Sequence, residues 1–266
     1  MKRIALILAF SALAAFTSAA QDKPKADASK TDAPRTDASK TEAKAAALPA
    51  ADEILEKYVK ALGGKEAIEK VSSRSAKGKF EIEAANLAGD VESHHKAPNK
   101  YAYLFTIPGV GGGGEVFDGA TGWNSNPMTG LREVSGAELA TLKREADLYQ
   151  PLNLKKHYPK MEVKGKETVG KFETYVVIAT PAEGGPEKLY FDSASGLLVR
   201  IDSERETPEG KMASEEYYDD YKAVDGVKVA HSMKVVSSMY TVTVKLTEVK
   251  NNVEIDAAKF NKPSGN

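Results

Sequence analysis

Four histidines, two adjacent pairs of acids and one run of glycines are the residues of this 266-residue chain whose types and spacing could do chemistry. His94 and His95 are neighbours in a segment that reads as a strand. Successive strand side chains leave on opposite faces, so the two rings cannot readily share one ion. His157 falls in a predicted loop and His231 on a distant strand, and no H-E-x-x-H or other ligand spacing joins them. No metal site is expected. Glu215-Glu216 and Asp219-Asp220 also lie on a predicted strand. There Glu215 and Asp219 would share a face with Tyr217 and Tyr221, which leaves a hydrolase-type carboxylate pair open beside the plainer reading of a solvated strand face. Gly109-Val-Gly-Gly-Gly-Gly114 matches G-x-G-x-x-G, but a dinucleotide site needs a helix next, and Glu115-Val-Phe-Asp118 reads as strand. A loose connection or mobile flap is expected there instead. No G-x-S-x-G motif occurs, and the absence of cysteine removes disulfides, thiol nucleophiles and Cys-zinc sites together. The chain reads as a non-enzyme without a cofactor.

The remaining signal is apolar. Tyr101, Tyr103, Phe105 and Ile107 recur at every second position, so one strand face is a ladder of large side chains. Phe117 and Trp123 flank the next turn, and later strands add Val176, Ile178, Leu189 and Phe191. With Leu139 and Leu142 from a predicted helix, these twelve are the candidate lining of an apolar ligand cavity. A strongly curved sheet with one large apolar face can enclose such a space.

The elements that must position them alternate between helices and strands. Asp52–Leu62 places Ile54, Leu55, Tyr58 and Leu62 on one helical stripe and stops at Gly63-Gly64; Lys65–Val71 gives a short second helix. Strands are expected over 74–84, 89–96, 100–107, 115–118 and 122–124. Ser135-Gly-Ala-Glu138 has the pattern of a capping box, opening a helix that ends before Pro151. Strands resume at 161–169 and 172–180. The last third holds hairpins: 188–202 turning at Ser193–Gly196, and 213–236 turning at Val224-Asp-Gly226. The strand from Tyr240 alternates Val242, Val244 and Leu246 against Thr241, Thr243 and Lys245. The fold class is α+β, dominated by antiparallel sheet with one buried face.

The ends are different in kind. Residues 1–20 have a basic start, an apolar stretch and Ser18-Ala19-Ala20 before Gln21, which reads as a signal peptide cut after Ala20. The stretch is too short for a confident membrane span. Residues 21–49 repeat Asp-Ala-Ser-Lys-Thr with a five-residue period and no large apolar side chain, so a disordered linker is expected. Residues 50–266 form the folded domain. Formal net charge is −1, and losing Lys2 and Arg3 takes it to −3, which gives no reason to expect a nucleic-acid partner. Without cysteine there is no acceptor for a lipid anchor, so a soluble, exported, periplasmic protein is expected.

Val116-Phe-Asp-Gly-Ala-Thr-Gly-Trp-Asn124 resembles the turn-and-strand of LolA/LolB-like outer-membrane lipoprotein carriers. His95-Lys-Ala-Pro-Asn-Lys-Tyr101 is similar to their strand junction, and Phe191–Arg200 to the hairpin that follows. The segment 218–231, with Ile255–Phe260 and Pro263, is similar to the end of outer-membrane lipoprotein-sorting proteins. The resemblance spans about residues 50–263. It implies a half-open, strongly curved antiparallel barrel with covering helices, whose interior takes the acyl chain of a lipoprotein or lipid, passed between membrane-bound donor and acceptor proteins. The Arg that in such carriers precedes the proline and helps latch the helical lid is replaced here by Lys96-Ala97 before Pro98. The rival reading is an exported β domain that binds a protein partner with a filled core and no cavity.

Overall fold

The computed structural model describes residues 47–207 and 210–264; the expected leader and nearly all of the expected linker lie outside them. Two helices, α1 (Ala51–Ala61) and α2 (Lys65–Glu69), open the domain. They are followed by β1 (Ser73–Ile82), β2 (Leu87–Lys96), β3 (Lys100–Ile107), β4 (Gly111–Phe117), β5 (Gly122–Asn126) and β6 (Gly130–Glu133). Helices α3 (Gly136–Glu145) and α4 (Leu154–His157) come next. The chain then runs through β7 (Lys160–Val169), β8 (Phe172–Thr180), β9 (Glu187–Asp192), β10 (Leu198–Thr207), β11 (Gly210–Val224), β12 (Val227–Ser237) and β13 (Thr241–Asn251).

All thirteen strands form one sheet in the order β6-β5-β4-β3-β2-β1-β13-β12-β11-β10-β9-β8-β7. Every pairing is antiparallel, and every neighbour is a sequence neighbour except β1 and β13. The chain therefore starts in the middle of the sheet and meanders to one edge. It crosses by α3 and α4 to the other edge and meanders back. The edge strands β6 and β7 do not pair, so the barrel stays open. In a flat sheet β4 and β11, six strands apart, would be separated by about 29 Å. Here Glu115 of β4 and Glu216 of β11 line one cavity, so the sheet is curled around the helices. Register shifts at Lys77/Gly78, Val163/Gly165 and Leu198/Arg200 supply local bends.

The helices pack on the concave face. Ile54, Leu55, Tyr58 and Leu62, the stripe read from spacing, are buried against Val177, Leu189 and Phe191, with Tyr58 edge-on to Phe191 at 5.3 Å. The opposite face carries its own cluster of Val169, Val176, Tyr190 and Val199. A second convex cluster, Ala102, Val116 and Trp123, is covered by the C-terminal Ile255 and Phe260.

Two expectations are corrected. Gly111–Gly114 is not a flap; it is the first half of β4, paired with Leu104–Ile107. The glycines allow strands to come closer than side chains would: a Cβ on Gly114 would lie 2.0 Å from the Tyr103 carbonyl oxygen, and one on Gly113 would lie 2.4 Å from that of Ser125. The capping box is not formed either. Ser135 makes no side-chain cap bond, and Glu138 instead accepts both arms of the Arg132 guanidinium at 2.6 and 2.7 Å. A bidentate charged pair outcompetes a single bond to a neutral backbone amide.

Candidate functional site

Helix α3 lies across the mouth of the curled sheet and is pinned on both sides. On one side Leu142 and Ala146 are buried against Tyr101, Phe117 and Val134. Gly122 leaves the room for this contact, since a Cβ there would sit 2.6 Å from both Leu142 and Val134. On the other side Arg144 donates to Glu187 of β9 at 2.9 Å and to Thr141 at 3.1 Å. Tyr158 donates to the second Glu187 oxygen at 2.7 Å. Both charged side chains are nearly buried, so this is a dry ion pair tying the helix to the far wall.

The turn after α3 is organised by Asp147, which accepts from the Tyr149 amide at 2.9 Å and the Asn153 amide group at 2.8 Å and sits 2.7 Å from His157. Burial alone would raise its pKa. The bonds from His157, Asn153 and the Tyr149 amide outweigh burial and hold it below the usual carboxylate range.

The C-terminal end of α3 is held by His95, whose Nε2 lies 3.2 Å from the Glu145 carbonyl oxygen while its ring packs on Tyr101 at 4.7 Å. Burial, and then the neighbouring Arg74 charge, pushes its pKa down to about 4. The folded value is below the unfolded value of about 6.5, so the unfolded chain binds the extra proton. Stability from this group is present above about pH 6.5 and is lost as pH falls toward 4. Between pH 7 and 5 the loss should be about 2 kcal/mol. Urea melts at both pH values should show it, and His95→Gln, which can still donate but does not titrate, should remove most of that slope. An unchanged slope in the variant would exclude His95 as its source.

Beside the C-terminal end of α3 is a half-open chamber of about 240 Å³. Its walls are Tyr101, Tyr103, Glu115, Glu216 and Tyr218 from the sheet, closed by Glu145 and Gln150 from the lid side. Its floor is apolar: Met233, Val235 and Val244. A smaller, more enclosed space of about 100 Å³ under α3 itself shares Glu115, Glu145, Gln150, Glu216 and Tyr218 and is bounded by Arg144 and Glu187. Glu216 accepts from Tyr218 at 2.8 Å, and Glu115 from Asn124 at 3.2 Å. Burial raises the Tyr103 hydroxyl pKa, with the Glu115 charge adding to it. Burial also raises that of Tyr218, helped by the Glu216 charge.

No family model matches the chain, and no curated protein matches its sequence. Solved structures do match in shape. A DUF1329 family protein from Desulfovibrio piger is 12% identical, covering 79% of this chain and 96% of its own, at a TM-score of 0.55. A LolA superfamily protein from Nitrosomonas europaea is 13% identical over 81% of this chain and 99% of its own, at 0.53. A putative outer membrane lipoprotein-sorting protein domain from Vibrio parahaemolyticus is 13% identical over 78% and 97%, at 0.52. The fold is LolA-like.

In this LolA-like half-barrel nine of the twelve candidate residues lie on the concave side and three on the convex side. Tyr101, Tyr103 and Leu142 border the two connected spaces. Leu139 and Phe117 pack under the lid. Phe105 and Ile107 join Phe80, Val242 and Val244 in an apolar cluster beside the chamber. Leu189 and Phe191 form the core beneath α1. Trp123, Val176 and Ile178 belong to the clusters on the convex face. Each of the three is adjacent in sequence to an inward position, and the period of two places it outside.

Glu115, Glu145, Glu216 and Tyr218 also border the chamber, and of these the sequence pattern marks only Glu216, as half of the Glu215-Glu216 pair. The signal was present: Glu115 shares a face with Phe117, and Glu216 with Tyr218, by strand alternation. Glu215 faces the other way and pairs with Arg200 at 2.7 Å. Tyr217 packs on the convex cluster whereas Tyr221 packs toward the helices, with left-handed Asp220 between them, so the expected Tyr217–Tyr221 face does not exist. His94 and His95 do point to opposite faces: His95 holds the lid and His94 lies 3.5 Å from Glu92. Among the described residues no three His, Asp or Glu converge as metal ligands, and no helix is long and apolar enough to cross a membrane. No arginine stands at Lys96-Ala97; the contacts to α3 come instead from His95, one residue earlier, and from Arg144 on α3 itself.

Proposed function

We propose that this chain is an exported, periplasmic, non-catalytic carrier that holds the acyl chain of a lipid or lipoprotein between the concave sheet and α3, in transport serving the outer membrane. Residues 1–20 act as the leader, 21–49 as the linker and 50–266 as the carrier domain. The observation that carries the reading is a half-open chamber with an apolar floor beside a helix pinned by a small number of polar contacts. Val244 belongs both to that floor and to the Phe105–Ile107 cluster, so chamber and apolar trough are continuous. As it stands, the chamber holds roughly eight water-sized groups, about half of a C16 chain. Binding a full chain therefore requires α3 to swing out. Each methylene buried contributes about 0.8 kcal/mol, so such a chain supplies roughly 10 kcal/mol before binding costs.

Native mass spectrometry of the protein purified from an exporting bacterial host, followed by lipid extraction, tests this directly. The expected result is a stoichiometric acylated species. A clean apo mass that persists after incubation with fatty acid, phospholipid and acylated peptide would overturn the carrier reading.

A further inference from the structure

We propose that one end of the half-barrel, formed by the β3–β4, β5–β6 and β12–β13 turns, docks directly on a lipid bilayer through Val110, Met128 and Met239. Each antiparallel pairing reverses the chain, so the C-terminal ends of β12, β1, β3 and β5 all lie at one end of the sheet. Ile107 pairs with Gly111, Asn126 with Gly130 and Val236 with Thr241, which places the three turns there. Two of the tips adjoin, since a Cβ on Gly111 would lie 3.5 Å from the Pro127 Cβ. Val110, Met128 and Met239 are 42%, 51% and 46% exposed. They are three of the four exposed large apolar side chains among the described residues; the fourth, Leu48, precedes α1.

Charge marks the same end. Residues 101–114, 119–131 and 235–244 contain no Asp, Glu, Lys, Arg or His, and no other run in residues 50–266 is as long. Each of them encloses one of the three turns. At the opposite end Lys96 and Lys100 flank the β2–β3 turn, Asp118 opens the β4–β5 turn and Asp225 stands in the β11–β12 turn. One acid, Glu83 in the β1–β2 connection, interrupts the uncharged end. That end stops at the β10–β11 hairpin, where Lys211 pairs with Glu204 at 2.8 Å.

A protein partner is held in register by complementary charge, and these turns supply none. A bilayer interface asks only for apolar side chains on a backbone that satisfies itself. The tips meet that condition. The Val110 amide donates to the Ile107 carbonyl at 3.1 Å, and the Ser237 amide to the Tyr240 carbonyl at 2.9 Å. The Met128 amide donates to the Asn126 side chain at 2.8 Å. Behind the tips, Ile82, Ile107 and Tyr240 belong to the apolar cluster that includes Met233 and Val244, which also line the chamber. The uncharged end is therefore the end at which an acyl chain can pass from a bilayer into the trough.

Flotation with vesicles of phosphatidylcholine and phosphatidylethanolamine tests this, using the protein purified after export with no cargo added, at 150 mM and 1 M salt. Wild type should float equally at both salts, because no charge is involved. The triple variant Val110→Gln, Met128→Gln, Met239→Gln should bind about tenfold more weakly or less. Leu48→Gln, equally exposed but away from the turns, should stay within about twofold of wild type. A thermal melt checks that the variants fold. The cysteine-free chain also allows Val110→Cys, Met128→Cys, Met239→Cys and Leu48→Cys to be labelled singly with an environment-sensitive dye. Vesicles should blue-shift the first three and leave the fourth unchanged. Wild type that does not float, binding lost at 1 M salt, a triple variant that floats like wild type, or no shift at the three tips overturns the proposal. Flotation needs no cargo, so its failure is distinct from failure of the carrier reading. A protein that floats yet never yields an acylated species keeps the docking end and loses the carrier function.

Discussion

Arg144→Ala should cost about 3–5 kcal/mol, the usual penalty for removing one partner of a buried ion pair. The wild-type side chain fills the gap between lid and far wall, donates to Glu187, and lies 5.6 Å from the Tyr158 ring centroid. Removing it leaves the Glu187 carboxylate nearly buried, with Tyr158 still donating to it. Urea unfolding gives the global loss, and hydrogen exchange on the amides of α3 gives the local one. Faster exchange confined to α3 would identify the lid as a unit that opens separately from the sheet. The carrier reading then requires faster ligand release as well. The double variant Arg144→Ala with Glu187→Ala should recover part of the loss, because it removes the stranded charge. A single variant as stable as wild type, with unchanged exchange in α3, would show that the ion pair does not hold the lid.

Gly114→Ala should be the most damaging conservative change in the sheet, at roughly 3 kcal/mol or more. Its φ is 148°, where an L side chain is strained, and the added Cβ would meet the Tyr103 carbonyl oxygen at 2.0 Å and the Leu104 Cα at 2.9 Å. Those are backbone atoms, so no rotamer change relieves the clash. Gly109→Ala is the matched control. Its φ of 76° also favours glycine, but nothing lies within 4 Å of the added Cβ, so about 1 kcal/mol is expected. Both are read from urea midpoints. Equal losses at the two positions would mean that the close approach of β3 and β4 does not constrain the site. Because Tyr103 pairs with Glu115, the residue after Gly114, the stronger variant should also disturb the chamber wall.

Much of the molecule was legible because its elements carry strong local patterns. The α1 stripe, the Tyr101–Ile107 ladder and the Val242–Leu246 alternation each announced a period, and each appears at nearly the expected bounds. The short strand β6 was not seen, since Gly130-Leu-Arg-Glu133 has no alternation to read. The glycine run misled because the lack of side chains looks the same in a mobile loop as in a strand packed too tightly to accept one. Asp220 could not be anticipated either: a left-handed residue inside a strand re-aims the tyrosine beyond it without leaving a mark in the hydrophobic pattern.

By itself, the sequence determined the class of the fold, the antiparallel meanders and the apolar character of one sheet face, because helix and strand periodicities are local. It also carried turn signatures of the LolA-like kind. Which residues meet was decided only by the tertiary structure. Curling the sheet brought β4 and β11 to one cavity, and the crossing helix α3 added Glu145 to its wall. Glu115, Glu145 and Glu216, three of the side chains that line it, are too far apart in the chain for any local pattern to join them. Strand alternation is set by a few neighbouring residues, whereas contact across a curled sheet is set by the whole chain.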